Sequence, residues 1–180
     1  MKILGLLRHA KSEWDHAALR DFDRGLNDRG RRGAALIGRH IRDTGIDWDA
    51  VIASPAARVK RTLEATGLPL SPQFDERAYL ADAATLIDVL RDVDDEAGNV
   101  LLVGHNPGLH QLLFRLVCPG EENDLFARAT EKFPTASFAV LELAIDRWAD
   151  LAPGCGKVVD FARPRDLDPA LGPERAGEHG

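Results

Sequence analysis

The sequence predicts one α/β domain, three layers deep, with a mostly parallel sheet between two layers of helices. Two observations carry that expectation. Short apolar runs, Ile3, Leu4, Leu6 and Leu7 at the start and Val100-Leu101-Leu102-Val103 later, have the composition of strands covered on both faces. Between such runs lie segments whose apolar residues recur at helical spacing, so strand and helix alternate along the chain. The 180 residues suffice for one full core and are short for two. With no internal repeat or linker, residues 1–167 read as one domain. The chain from Arg163 onward is rich in Pro, Arg and Gly, and residues 168–180 are expected to form a flexible tail.

Taken in order, Lys11 to Asp28 is polar and without clear period, hence a loop. Asn27 or Asp28 is a plausible N-cap for a helix carrying Ala34, Ile37 and Ile41, and Gly45 ends it. Asp49 to Ser54 reads as the second strand, with Ser54-Pro55 capping a helix that runs to Thr66 before Gly67-Leu68-Pro69 breaks it. Phe74 to Leu80 reads equally as a short strand or an extended loop. Ala83 to Val93 places Leu86, Ile87 and Leu90 on one helical face. After Gly98, Asn99 to Val103 is a strand, and Gly104-His105-Asn106-Pro107-Gly108 turns into a helix through Leu109, Leu112, Leu113 and Leu116. Ala136 to Leu143 and Lys157 to Ala162 complete the predicted strands.

A net charge of -6 argues against non-specific nucleic-acid binding, which runs on clustered Lys and Arg. No polybasic run suits an anionic membrane surface, and no stretch reaches membrane-spanning length. Arg8 and His9 cut the first apolar run short of a secretory core. Cys118 and Cys155 have no CxxC or His partner spacing and read as reduced thiols, which fits a cytoplasmic location.

Three strand-end junctions stand out: Arg8-His9 after the first strand, Ser54 to Arg58 after the second, and Gly104-His105-Asn106 after the later one. In a parallel sheet these open on one edge, where open α/β sheets bind ligands. Each residue alone reads equally well as a solvated loop side chain. Arg58, however, lies in the first turn of a helix, where the dipole already presents positive charge; a cation there makes best sense beside a bound anion. Two Arg and two His converging suit phosphoryl transfer. Arg forks neutralise the equatorial oxygens, a neutral imidazole attacks phosphorus, and the second His donates to the transferring oxygens. A carboxylic acid should protonate the leaving group and then activate water.

Leu7-Arg8-His9-Ala10-Lys11-Ser12, Ser54-Pro55-Ala56-Ala57-Arg58 with Arg61-Thr62, and Val103-Gly104-His105-Asn106-Pro107 resemble the motifs of the histidine phosphatase superfamily. With Asp21-Phe22-Asp23-Arg24-Gly25-Leu26-Asn27 and the ending Phe161 to Leu167, the chain is similar to the small SixA-type phosphohistidine phosphatases over nearly its whole length. The resemblance implies a phosphoglycerate mutase-like fold, a phosphohistidine intermediate on His9, Arg8 and Arg58 as phosphate clamps, His105 as the second pocket histidine, and neither metal nor other cofactor. The family's Arg-His-Gly triplet is Arg8-His9-Ala10 here, a variation common in the small subgroup. Larger relatives use a Glu after the second strand-helix unit. Glu76 is the matching candidate acid and Asp82 the runner-up, while a plain surface carboxylate is the alternative for Glu76. Ser12 offers either a hydroxyl to phosphate or a cap to the following loop, and Arg24 either charge at the pocket rim or an exposed loop Arg.

His16, His40, His110 and His179 receive no role, and His40 and His179 read as surface positions. A zinc pair of His9 with His105 lacks a third ligand at familiar spacing. The expected function is hydrolysis of phosphohistidine, with a phosphorylated protein or a small phosphorylated molecule as partner. A small-molecule phosphomonoesterase of the same superfamily and a non-catalytic phosphate-binding regulatory module are the alternatives.

Overall fold

The computed structural model describes residues 1–13 and 19–172; His16, His179 and the end of the expected tail lie outside them. Strands β1 (Lys2–Arg8), β2 (Ala50–Ala53), β3 (Pro72–Phe74), β4 (Asn99–Gly104), β5 (Phe138–Leu143) and β6 (Gly156–Ala162) form one sheet in the order β3-β2-β4-β1-β5-β6. β1 to β4 are mutually parallel, while β5 runs antiparallel to both β1 and β6. Only β5 is therefore reversed, and the sheet is mostly parallel as expected.

The continuous apolar runs divide between two cores because successive side chains of a strand face opposite ways. Leu4 and Leu6 of β1 join Val100 and Leu102 of β4 beneath α3 (Ala83–Arg91) and α4 (Gly108–Leu116). Leu7 joins Leu101 and Val103 beneath α1 (Asp28–Asp43) and α2 (Ala57–Ala65). In α1, Ala34, Ile37 and Ile41 are all buried. Asn27 caps it by accepting the Gly30 N–H at 2.7 Å. Gly38 lets α1 lie against the turn after α2, for a Cβ there would come 2.2 Å from the Thr66 carbonyl oxygen.

Several elements differ from expectation, each for a local reason. α2 starts at Ala57 instead of Ser54-Pro55: the Ser54 hydroxyl accepts the Ala56 N–H at 3.3 Å in a turn before the helix and meets His105 at 2.7 Å. Phe74 to Leu80 is split: β3 ends at Phe74, and Asp75 caps a 3-10 turn at Glu76–Ala78. The loop before α1 holds a 3-10 turn at Asp21–Asp23 and pairs Ser12 with Leu26. β5 begins at Phe138, since Ala136 has a left-handed φ of 60° and gives its N–H to the His9 carbonyl at 2.9 Å. A helix not anticipated from the sequence, α5 (Asp124–Glu131), fully buries only Ala129, with Leu125 and Phe126 partly buried against the core. His40 is no plain surface residue: its Nε2 meets Asp160 of β6 at 2.7 Å. Beyond β6, α6 (Pro164–Leu167) and a 3-10 turn at Pro169–Leu171 follow, with Arg29 donating to the Ala170 and Gly172 carbonyls.

Candidate active site

The register places the site. Arg8 is aligned with Gly104, so His9 leaves β1 beside His105 leaving β4, and the His9 N–H donates to the Gly104 carbonyl at 3.0 Å. The two imidazoles lie 5.2 Å apart between centroids. β2 ends next to β4, the Ser54 N–H donating to the Val103 carbonyl at 3.0 Å, which brings Ser54 to the His105 ring.

His9 is held in one orientation. Its Nδ1 lies 2.7 Å from the Ala10 carbonyl, an acceptor, so Nδ1 carries the proton and Nε2 keeps its lone pair. Among the described residues Nε2 makes no hydrogen bond. The loop behind it is tied to α2: the Ala10 N–H donates to the Thr62 hydroxyl at 2.8 Å, and that hydroxyl donates to the Arg58 carbonyl at 2.7 Å. On the other side, Arg8 Nη1 and the Asn106 side-chain amide donate to the Phe133 carbonyl at 3.2 and 2.8 Å.

Arg58 is only 2 % exposed. Its guanidinium donates to both the backbone carbonyl (2.8 Å) and the carboxylate (3.0 Å) of Asp21. The Tyr79 hydroxyl donates to the same carboxylate, and its ring stands edge-on to His105 at 5.5 Å. Arg24 pairs with the other carboxylate oxygen at 3.1 Å. Arg8 Nε, Arg58 Nε and His105 Nδ1 are buried with no hydrogen-bond partner among the described residues. Buried polar atoms are ordinarily satisfied, so orphaned groups on three neighbouring basic side chains describe a cradle for an anion.

The electrostatics agree. Burial, with the charges of Arg8 and Arg58 and the neighbouring His105, pushes His9 down to about 3 despite its bond to Ala10. Burial, with Arg58 and Arg8, likewise takes His105 to about 3. Burial and the Arg58 charge lower even Arg8, to about 10. These basic groups repel one another until a dianion enters. Burial alone would raise Asp21, but the Tyr79 hydrogen bond and Arg58 outweigh it and hold the carboxyl below its usual range.

The structure thus brings Arg8, His9, Arg58 and His105 together. Glu76 is exposed on the 3-10 turn, and its carboxylate makes no hydrogen bond or ion pair among the described residues. Asp82, the runner-up, caps α3 through the Thr85 N–H. Ser12 is buried; its carbonyl accepts from Asn27, and its backbone pairs with Leu26. Arg24 is mostly covered and serves Asp21, which is not the exposed loop Arg of the alternative reading. Asp21, Thr62 and Tyr79 escaped sequence reasoning as members of the site. Thr62 and Asp21 lie inside motifs that were singled out, so proximity to those motifs was the available signal. Among the described residues, no three His, Cys, Asp or Glu side chains are grouped to hold a metal ion.

Comparison with known proteins agrees with this geometry. The family model of the histidine phosphatase superfamily (branch 1) matches residues 4–84. An uncharacterized protein of Mycobacterium tuberculosis is 39% identical over 160 residues, covering 88% of this chain and 100% of that one. The SixA protein of Agrobacterium tumefaciens superposes with a TM-score of 0.72 at 30% identity, covering 91% of this chain and 98% of that one. SixA of Nakamurella multipartitia gives 0.80 at 28%, covering 91% and 96%. An Arg-His pair at the end of β1, a second histidine one strand away and an arginine in the adjoining helix, on a sheet shared with these proteins, make the chain a SixA-type member of the histidine phosphatase superfamily.

Proposed function

We propose that the protein is a phosphatase that hydrolyses phosphohistidine on a protein through a covalent intermediate on His9. The observation that carries this reading is the state of His9: neutral, with Nδ1 tied to Ala10 and Nε2 unengaged beside Arg8, Arg58 and His105. A nucleophile with its lone pair free throughout the neutral range needs no base to activate it. The SixA neighbours from Agrobacterium and Nakamurella, described as candidate phosphohistidine phosphatases, support the substrate class.

His9 Nε2 attacks phosphorus in line, and the bond from phosphorus to the leaving imidazole nitrogen breaks with its electron pair going to that nitrogen. A proton from an acid completes the leaving group. Arg8 and Arg58 neutralise the equatorial oxygens, and His105, which gains its proton once a dianion is present, donates to them. Water then attacks the phosphohistidine, giving up a proton as inorganic phosphate departs and Nε2 recovers its lone pair. Glu76 is the candidate acid. A labile P–N bond makes modest demands on it, so Glu76→Gln should slow phosphate esters more than phosphohistidine. Ser12 is a candidate for a further hydroxyl contact to phosphate, and Arg24 acts through Asp21.

The test compares wild type and His9→Ala on a phosphohistidine-carrying protein and on simple phosphate esters, with EDTA present. Phosphate release by wild type, none by His9→Ala, and acid-labile radiolabel trapped on His9 are expected. Turnover by His9→Ala would overturn the covalent step, and faster turnover of esters would make the protein a small-molecule phosphomonoesterase. Arg58→Ala should weaken vanadate binding; unchanged affinity would remove Arg58 from the pocket.

A further inference from the structure

A second cavity, of about 200 Å³, opens between the start of α1, the 132–136 loop and the segment after β6. Among the described residues, five cationic side chains line it (Lys11, Arg29, Lys132, Arg163 and Arg165) and no carboxylate does. In a chain of net charge -6 this is a local reversal of sign. Some of these cations are fixed in place. Arg29 donates to the Ala170 and Gly172 carbonyls, and Arg163 is bracketed by Asp166. Lys132 and Arg165 have no carboxylate partner among the described residues. Pro134, Pro164 and Leu171 supply an apolar floor.

The topology sets this cavity on the edge that carries the catalytic pocket. β1 ends there and leads through His9 to Lys11. β6 runs the same way as β1 and ends there, leading to Arg163 and Arg165, while β5 begins there after the 132–136 loop. That loop touches both sites at once: the Phe133 carbonyl receives Arg8 and Asn106, the Ala136 N–H reaches the His9 carbonyl, and Lys132, Pro134 and Thr135 face the cavity. Gly30 seals the junction, since a Cβ there would lie 2.1 Å from the Lys11 carbonyl oxygen.

We infer that this cavity is a docking site for acidic side chains of the phosphorylated protein, Asp or Glu residues that flank the phosphohistidine and enter between Lys132, Arg165 and the pinned Arg29. The inference rests on the proposed phosphohistidine substrate. A molecule of net negative charge repels an acidic partner over most of its surface, and a basic patch beside the nucleophile restores attraction and orients the encounter.

Two measurements on the full-length protein test it separately from the chemistry. In the first, Lys132→Glu/Arg165→Glu is compared with wild type on an acidic phosphohistidine protein and on a small phosphoramidate. The double variant should lose about tenfold or more in kcat/KM on the protein, mainly through KM, while the small substrate is turned over within about twofold. In the second, a fluorescently labelled Glu-rich ten-residue peptide is titrated into wild type, His9→Ala and the double variant at low salt. Wild type and His9→Ala should bind alike, and the double variant at least about tenfold more weakly. Lys132→Ala/Arg165→Ala, which adds no charge, should show the same direction in both measurements. Equal peptide binding by wild type and the double variant would overturn the inference, as would an equal loss in the control Arg147→Glu/Lys157→Glu, which reverses two charges outside the cavity. The peptide arm stands whether or not His9 proves to be the nucleophile.

Discussion

Asp21 occupies Arg58, the arginine proposed to clamp phosphate. Its carbonyl and carboxylate both receive Arg58, and Tyr79 and Arg24 hold the carboxylate in place. In the proposed mechanism an incoming phosphoryl group would share or displace this internal anion. Removing that charge while keeping the shape, as in Asp21→Asn, should tighten inorganic phosphate as a competitive inhibitor by roughly three- to tenfold, about 1 kcal/mol for a partly exposed charge. Inhibition constants for phosphate in the two proteins check this. The histidines offer a second residue-level test. Proton NMR of the ring Cε1–H signals should show His9 and His105 without titration between pH 5 and 8, both being depressed to about 3. His40 should titrate above the ordinary histidine value, because its hydrogen bond to Asp160 outweighs the cost of burial.

At the scale of elements, one hydroxyl couples the loop after His9 to a helix. Thr62 on α2 accepts the Ala10 N–H and donates to the Arg58 carbonyl. Thr62→Val keeps the volume and leaves the buried Ala10 N–H without a partner, which should cost about 1–3 kcal/mol of stability. The same change should lower kcat on phosphohistidine, because it loosens the residue following His9. Urea unfolding and turnover measured on one preparation separate the two effects. The elements themselves were uneven in legibility. α1 declared itself through Asn27, Ala34, Ile37, Ile41 and Gly45, since an N-cap, an apolar stripe and a left-handed glycine are local features. α5 did not, because its short apolar face of Leu125, Phe126 and Ala129 is set among charged and polar residues and spans only about two turns. The start of α2 was misplaced because Ser54, a good capping residue, here closes a turn onto the Ala56 N–H ahead of the helix.

For the molecule as a whole, two buried neutral histidines make stability depend on pH. In the unfolded chain His9 and His105 take up protons below about 6.5; in the folded protein they resist until about 3. The unfolded state thus binds more protons across that window, and stability present above about pH 6.5 falls as the pH drops through it. His40 contributes in the opposite sense: raised in the fold, it adds stability below about pH 6.5 that is lost as pH rises through its folded value. Urea midpoints between pH 5 and 7 should therefore fall less steeply with acid in a His105→Gln variant than in wild type. Equal slopes would show that His105 is not held neutral.

The sequence by itself determined the layered α/β class, the mostly parallel sheet and the four basic residues that meet at one edge. Apolar runs and helical spacing report how each segment is covered, and strand-end residues of a parallel sheet converge wherever the strands pair. Only the tertiary structure decided what surrounds them: Asp21 on Arg58 across 37 positions, Thr62 on Ala10 across 52, and the five cations beside the 132–136 loop. Polar pairings between distant segments carry no period. They depend on which loops the topology folds over the edge, so they become visible only when the chain has closed on itself.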